Sequence, residues 1–285
     1  MADPSKWIRQ QQPFNAAHES RGNRYSEKLL TMNEILLILL IGLIVFSTAT
    51  VEGISGFGST VLALPFVIML IGVEKAIPLL TCLGWILGFL LVMRSWRNIQ
   101  WKEYRFIVLH AALGIPAGLL MMDHLSKELM TGLLVCFMLF VGIRGIFMTL
   151  RTNTVPAAPP TKNFMMRLIL FCGGLIHGAF SSGGPVIVIY AARALPEKTK
   201  FRVTLSMLWM TVNVVMLTKW TIMGTVWTPA LGRQILCAIP FVICGVFTGD
   251  FLHHKVNERN FRIIVYSILM IAALSLGGNL LRNMF

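Results

Sequence analysis

Acidic side chains are scarce in this chain of 285 residues, with 12 Asp+Glu against 25 Lys+Arg, and only 13% of its residues are charged. An average soluble domain carries about 25%, and with a mean hydropathy of +0.73 a water-soluble globule is excluded. Cysteine is also sparse. Cys82, Cys136, Cys172, Cys237 and Cys244 all sit in apolar runs without a CxxC spacing, which argues against a disulfide scaffold or a zinc site and reads them as small core residues. No GxxxxGK[ST], HExxH or GxSxG occurs, so ATP hydrolysis and the commoner hydrolase chemistries lack support. The expectation is a protein that is not an enzyme and uses no metal or other cofactor. Residues 1–31 hold no long apolar run before Ile35, so no cleavable leader is expected there, and 1–32 read as a polar, basic tail.

What the chain has in excess is apolar length and positive charge. The formal net charge is +13, yet no solvated basic domain exists to hold a nucleic acid, and none is expected as a partner. The charge instead reads as membrane sidedness and attraction to anionic lipid. Ten apolar segments fall at about 35–52, 59–73, 76–93, 106–122, 129–148, 165–178, 184–192, 203–222, 234–249 and 263–281. A straight crossing needs roughly 20 residues, so the second and seventh are too short. Each follows a run of small residues: Gly53-Ile54-Ser55-Gly56-Phe57-Gly58-Ser59 before the second, and Gly178-Ala179-Phe180-Ser181-Ser182-Gly183-Gly184-Pro185 before the seventh.

The two runs are related by a fixed shift, 178 − 53 = 125 residues, which places Gly53 on Gly178, Gly58 on Gly183 and Glu52 on His177. Further on it brings Lys75 to Lys200, Leu80 to Leu205, Gly88 to Asn213 and Arg94 to Lys219, and after small gaps Gly118 and Asp123 to Gly245 and Asp250. The expected architecture is an all-α polytopic membrane protein of two homologous repeats of about five segments, 33–150 and 164–285, joined by a Pro-rich linker at 151–163. Basic loops follow segments three, five, seven and nine, while those after two, four and eight are nearly neutral. This alternation favours ten crossings and inverted repeats, with helices broken at the Gly-rich motifs. Counting each broken pair as one crossing gives eight spans and parallel repeats instead.

The two Gly-rich runs, Leu64-Pro65 after the first, and the basic loop Arg94 to Trp101 together resemble the TauE/SafE family over about residues 33–282. The resemblance implies an exporter or permease for sulfite and organosulfur anions in the bacterial inner membrane. Ser181 and Ser182 stand where many members have Gly.

The residues supply a chemical reason for such a role. Helices starting near Ser59 and Pro185 would point free N–H groups and a positive dipole end at each break, an arrangement that accepts an oxyanion. The candidate substrate-binding residues are Gly53, Ser55, Gly56, Phe57, Gly58, Ser59 and Thr60 of the first motif, Gly178, Ser181, Ser182, Gly183 and Gly184 of the second, and Asn213 and Lys219 further on. Close helix packing by small residues is the competing reading of the motifs, and snorkelling to the interface that of Lys219. Glu52 and His177, ionisable and immediately before the breaks, are the candidates for a coupling proton; a structural pair is the alternative. The expected function is a secondary transporter of a small sulfur-containing oxyanion, with a passive anion channel, an uptake permease for another small organic anion and an intramembrane enzyme as competing readings.

Overall fold

A computed structural model describes residues 34–151, 162–195, 197–224, 226–253, 255–256 and 258–284. The tail at 1–32 and most of the linker at 151–163 lie outside the described residues. The chain divides into two units, 1–41 and 42–285. Residues 34–41 of the first form the opening turns of helix α1 (Glu34–Ser55), and all that follows concerns 42–285.

Every regular element among the described residues is helical. After α1 come α2 (Ser59–Ile71), α3 (Val73–Ser95), a 3-10 turn (Trp96–Asn98), α4 (Trp101–His124), α5 (Lys127–Arg151), α6 (Phe164–Phe180), α7 (Gly184–Ala194), α8 (Lys198–Met223), α9 (Pro229–Leu252) and α10 (Glu258–Met284). Seven of the ten are long and apolar enough to cross a membrane; α2, α6 and α7 are shorter. At about 1.5 Å per residue, the 13 residues of α2 and 11 of α7 reach only part of the roughly 30 Å hydrocarbon layer. The chain is a polytopic all-α membrane protein, and each expected apolar segment coincides with a helix.

Local chemistry sets the helix ends. Asn163 and Thr228 accept the N–H groups of Met166 and Leu231 through their side chains and so cap α6 and α9, and Pro229 opens α9 at a position that needs no donor. Gly72, at φ 80, turns the chain from α2 directly into α3, a conformation that a Cβ would strain.

Small residues let the helices approach to backbone contact, the main route to tight packing where apolar burial gives no net drive. A Cβ at Gly174 would stand 1.8 Å from the Ala111 carbonyl oxygen, and one at Gly118 would stand 2.0 Å from that of Leu175. These contacts seat α6 on α4. A matching crossing joins α9 to α1, where Gly245 meets Phe46 and Thr50, and Gly249 meets Thr50 and Gly53. Gly114 touches Phe171 and Leu175, and Gly118 touches Leu175, Gly178 and Ala179. By contacts, then, Gly118 corresponds to Gly249, one helical turn beyond the Gly245 chosen by sequence, because the helix surface repeats nearly every four residues. Between the other helices, α3 and α8 run antiparallel, with Gly84 beside Asn213 and Gly88 beside Ser206 and Met210. So do α5 and α10, with Gly145 against Tyr266 and Gly142 against Met270.

One expectation about side chains changes. Cys136, Cys172, Cys237 and Cys244 are exposed and Cys82 is half-buried, so the cysteines are not core residues; the glycines take the crossings instead. Trp96, Trp101 and Trp227 are exposed, as an interfacial belt requires, but Trp209 and Trp220 are buried.

The α4/α6 crossing gives a first prediction. Gly174→Val would drive a branched side chain into the Ala111 backbone and should cost at least about 3 kcal/mol, read as a lowered unfolding midpoint of the purified protein in detergent. Gly232→Ala, with open space around it, should leave the midpoint unchanged or slightly raised.

Candidate functional site

The first break runs from the end of α1 to the start of α2. Gly56 at φ 81 and Gly58 at φ 105 carry the chain through the left-handed region, and Ser55 Oγ ties the turn by sharing its one proton between the carbonyls of Val51 at 2.8 Å and Phe57 at 2.7 Å. The carbonyls freed at the end of α1 find donors on other helices. Arg202 Nη1 donates to Gly53 O at 2.9 Å, Trp209 Nε1 to Gly56 O at 3.0 Å, and His253 Nδ1 lies 2.6 Å from Ile54 O. Gly56 must be a glycine for a second reason: a Cβ there would lie 2.6 Å from Arg202 Cα. At the other side of the break, Glu52 Oε2 accepts the Ser59 N–H at 2.9 Å. The carboxylate thus caps α2 from within, a stabilising position for negative charge at a helix N-terminus.

The second break is built differently. Ser181, at φ 52, is the one non-glycine residue with positive φ among the described residues. Its N–H returns to His177 O at 2.7 Å, while its hydroxyl meets Thr81 Oγ1 at 2.5 Å and Met216 Sδ at 3.2 Å. Ser182 Oγ donates to Phe180 O at 3.0 Å. Gly183 is packed so closely that a Cβ would stand 2.1 Å from Gly173 O. Helix α7 then starts with Pro185 in its first turn, and no side chain caps it.

Both breaks open on one small cavity of about 30 Å³, on a scale where a single water needs about 10–15 Å³. Of the residues singled out in the sequence, Glu52, Gly58, Thr60, His177, Ser181, Ser182, Gly184 and Asn213 line it. Gly53, Ser55, Gly56, Phe57, Ser59, Gly178 and Gly183 do not; they shape the turns and helix crossings around it. Lys219 also lies off the cavity, its Nζ 2.5 Å from Asp123 Oδ2. Gly84 and Trp209 do line it, and sequence reasoning passed them over. A signal existed, since 209 − 84 = 125, the same shift that relates the two motifs.

His177 and Asn213 join across the cavity wall, with Nε2 2.9 Å from Oδ1, and the imidazole stacks on Trp209 at 5.8 Å between ring centroids. Among the described residues no Lys or Arg lines the space. Buried Arg202 lies behind the first break and pairs with Asp250 at 2.8 Å, while Arg94 reaches the other oxygen of Asp250 at 3.1 Å. Among the described residues no group of three or more His, Cys, Asp or Glu is placed to hold a metal ion.

A polytopic helical membrane protein with two interrupted helices meeting at a shared cavity has the form of a membrane transporter. Comparison with protein families agrees: the family model described as Sulfite exporter TauE/SafE matches residues 40–276, most of the chain. The chain belongs to that family and is a membrane transporter of the sulfite and anion exporter type. Comparison with curated proteins and with solved structures gave no match.

Arg202 connects α8, α9 and the end of α1, which generates a second prediction. Arg202→Met strands the Gly53 carbonyl and weakens the hold on Asp250, and should destabilise by about 3 kcal/mol. Arg94→Met removes only a part-exposed pair and should cost under about 1 kcal/mol. Chemical unfolding of both variants in detergent gives the comparison.

Proposed function

We propose that the protein is a secondary transporter that exports a small sulfur-containing oxyanion, sulfite or an organosulfonate, across the bacterial inner membrane. The observation that carries this is the convergence of both breaks on a cavity whose α7 end has no side-chain cap. Helix N-termini accept oxyanions through free N–H groups and the dipole, and the absence of a lining cation leaves the anion easy to release. Because Glu52 already caps α2, the anion would sit on the α7 side and not equally on both helix ends. Membership of the family supports the substrate class.

The repeats, 33–150 and 164–285, would rock against each other to expose the cavity alternately. Support comes from the exchange of partners between halves, with α6 on α4 and α1 on α9, and from the antiparallel pairing of α3 with α8 and α5 with α10, as an inverted duplication requires. The ion pairs Arg94–Asp250 and Lys219–Asp123 also cross between the halves. They stand at the C-terminal ends of α3 and α9 and of α8 and α4 respectively. Helix α4 is 24 residues long, about 36 Å, a length that would set the two pairs on opposite sides of the membrane, where one could open as the other closes. Glu52 and His177, both lining the cavity, are the groups proposed to carry a coupling proton.

Proteoliposomes loaded with unlabelled sulfite should accumulate labelled sulfite by counterflow, which a passive channel cannot do. Glu52→Gln and His177→Ala should exchange substrate but lose at least about tenfold of the substrate-driven proton flux. Unchanged coupling in both variants removes these two residues from the proton path.

A further inference from the structure

We infer that the cavity selects an oxyanion carrying its own hydrogen-bond donor, with His177 Nδ1 as the acceptor. The inference rests on the anion-site reading above and adds a specificity to it. The Nε2 of His177 faces Asn213 Oδ1 at 2.9 Å. An amide oxygen only accepts, so Nε2 holds the ring proton and Nδ1 is left as a bare lone pair. That atom is buried and unpartnered, on a side chain 3% exposed that lines the cavity. His110 shows the ordinary alternative, with Nδ1 at 2.8 Å from the Phe106 carbonyl of its own helix. A buried acceptor without a donor costs about 1–3 kcal/mol, and a ligand that supplies the donor recovers it.

The rest of the wall agrees. Glu52 lines the same space with one carboxylate oxygen on Ser59 N–H, so its other oxygen is a second acceptor. The Ser182 hydroxyl proton is directed to Phe180 O. At the uncapped start of α7 the Gly184 N–H remains as a donor, since Pro185 has none and those of Val186 and Ile187 return to Gly183 O. The cavity wall therefore offers both donors and acceptors. A bare oxyanion answers only the first; an anion bearing an O–H or N–H answers both. Two ligands share that chemistry: a protonated oxyanion such as hydrogensulfite, and a sulfonate with a hydroxyl or amino group on its chain.

Isothermal titration of the full chain in lipid nanodiscs with two matched pairs tests the inference and separates the sources. Hydrogensulfite and methanesulfinate differ by a hydroxyl in place of a methyl, as do isethionate and 1-propanesulfonate. The donor-bearing member of at least one pair should bind tenfold or more tighter, and the pair that shows the preference identifies the source. His177→Phe keeps a ring against Trp209 without Nδ1 and should bring the ratio close to one. Asn213→Leu releases the Nε2 proton, allowing the tautomer to change, and should reduce the ratio as well should the Phe variant fail to fold. Equal affinities within both pairs for the wild type, or a preference that survives His177→Phe, overturn the inference while leaving the anion site in place. Failure of the wild type to bind any of the four anions overturns the anion-site reading itself.

Discussion

A backbone N–H or C=O cannot stay unpaired at membrane depth, and every interrupted helix must therefore find partners from somewhere else in the protein. Two helices of this chain are interrupted, and the surrounding helices are arranged to meet that demand. The end of α1 has its Gly53, Ile54 and Gly56 carbonyls met by Arg202, His253 and Trp209, which come from α8 and from the turn after α9. The start of α2 is met by Glu52. At the second break the hydroxyls of Ser181 and Ser182 are turned inward, to Thr81, Met216 and the Phe180 carbonyl. What is left open is the start of α7, and the cavity lies there.

This division explains why motifs with the same composition behave differently. The first break is closed by a carboxylate and backed by the buried Arg202–Asp250 pair, so its polar groups are largely occupied. The second is held by hydroxyls and close glycine packing, with His177 beside it and the α7 end uncapped. Glu52 and His177 are equivalent by the 125-residue shift, yet one side chain caps its own following helix while the other reaches across to Asn213 on α8. The different partners of these two positions distinguish the two breaks.

The positive charge of the chain contributes to the cavity only indirectly. Lys219 is drawn to Asp123 and Arg94 to Asp250, and among the described residues neither lysine nor arginine lines the cavity. A fixed cation in so small a space would bind an anion firmly and oppose its release, whereas helix-end N–H groups and hydroxyls attract it more weakly. The scarcity of acidic residues matters as well, because the few present within the helical region, such as Asp123, Asp250, Glu52 and Glu103, each hold a specific hydrogen-bond or ion partner.

The class of the protein and the position of its breaks were legible in the sequence. Apolar runs longer than a crossing admit little besides helices in lipid, and Gly-Ser runs at matched places in two halves mark where such helices stop. The 125-residue register even contained Gly84 and Trp209, although nothing in composition drew attention to them. Only the tertiary structure decided which of the motif residues face the cavity. Gly53, Gly56, Gly178 and Gly183 were drawn into helix crossings and turns, Ser59 met Glu52, and Lys219 met Asp123. Spacing along the chain fixes which residues share a turn or a helix face. Which donor reaches which freed carbonyl depends on how α8 and α9 cross α1, and that is set by backbone-to-backbone contacts between residues almost 200 positions apart, as between Gly53 and Gly249.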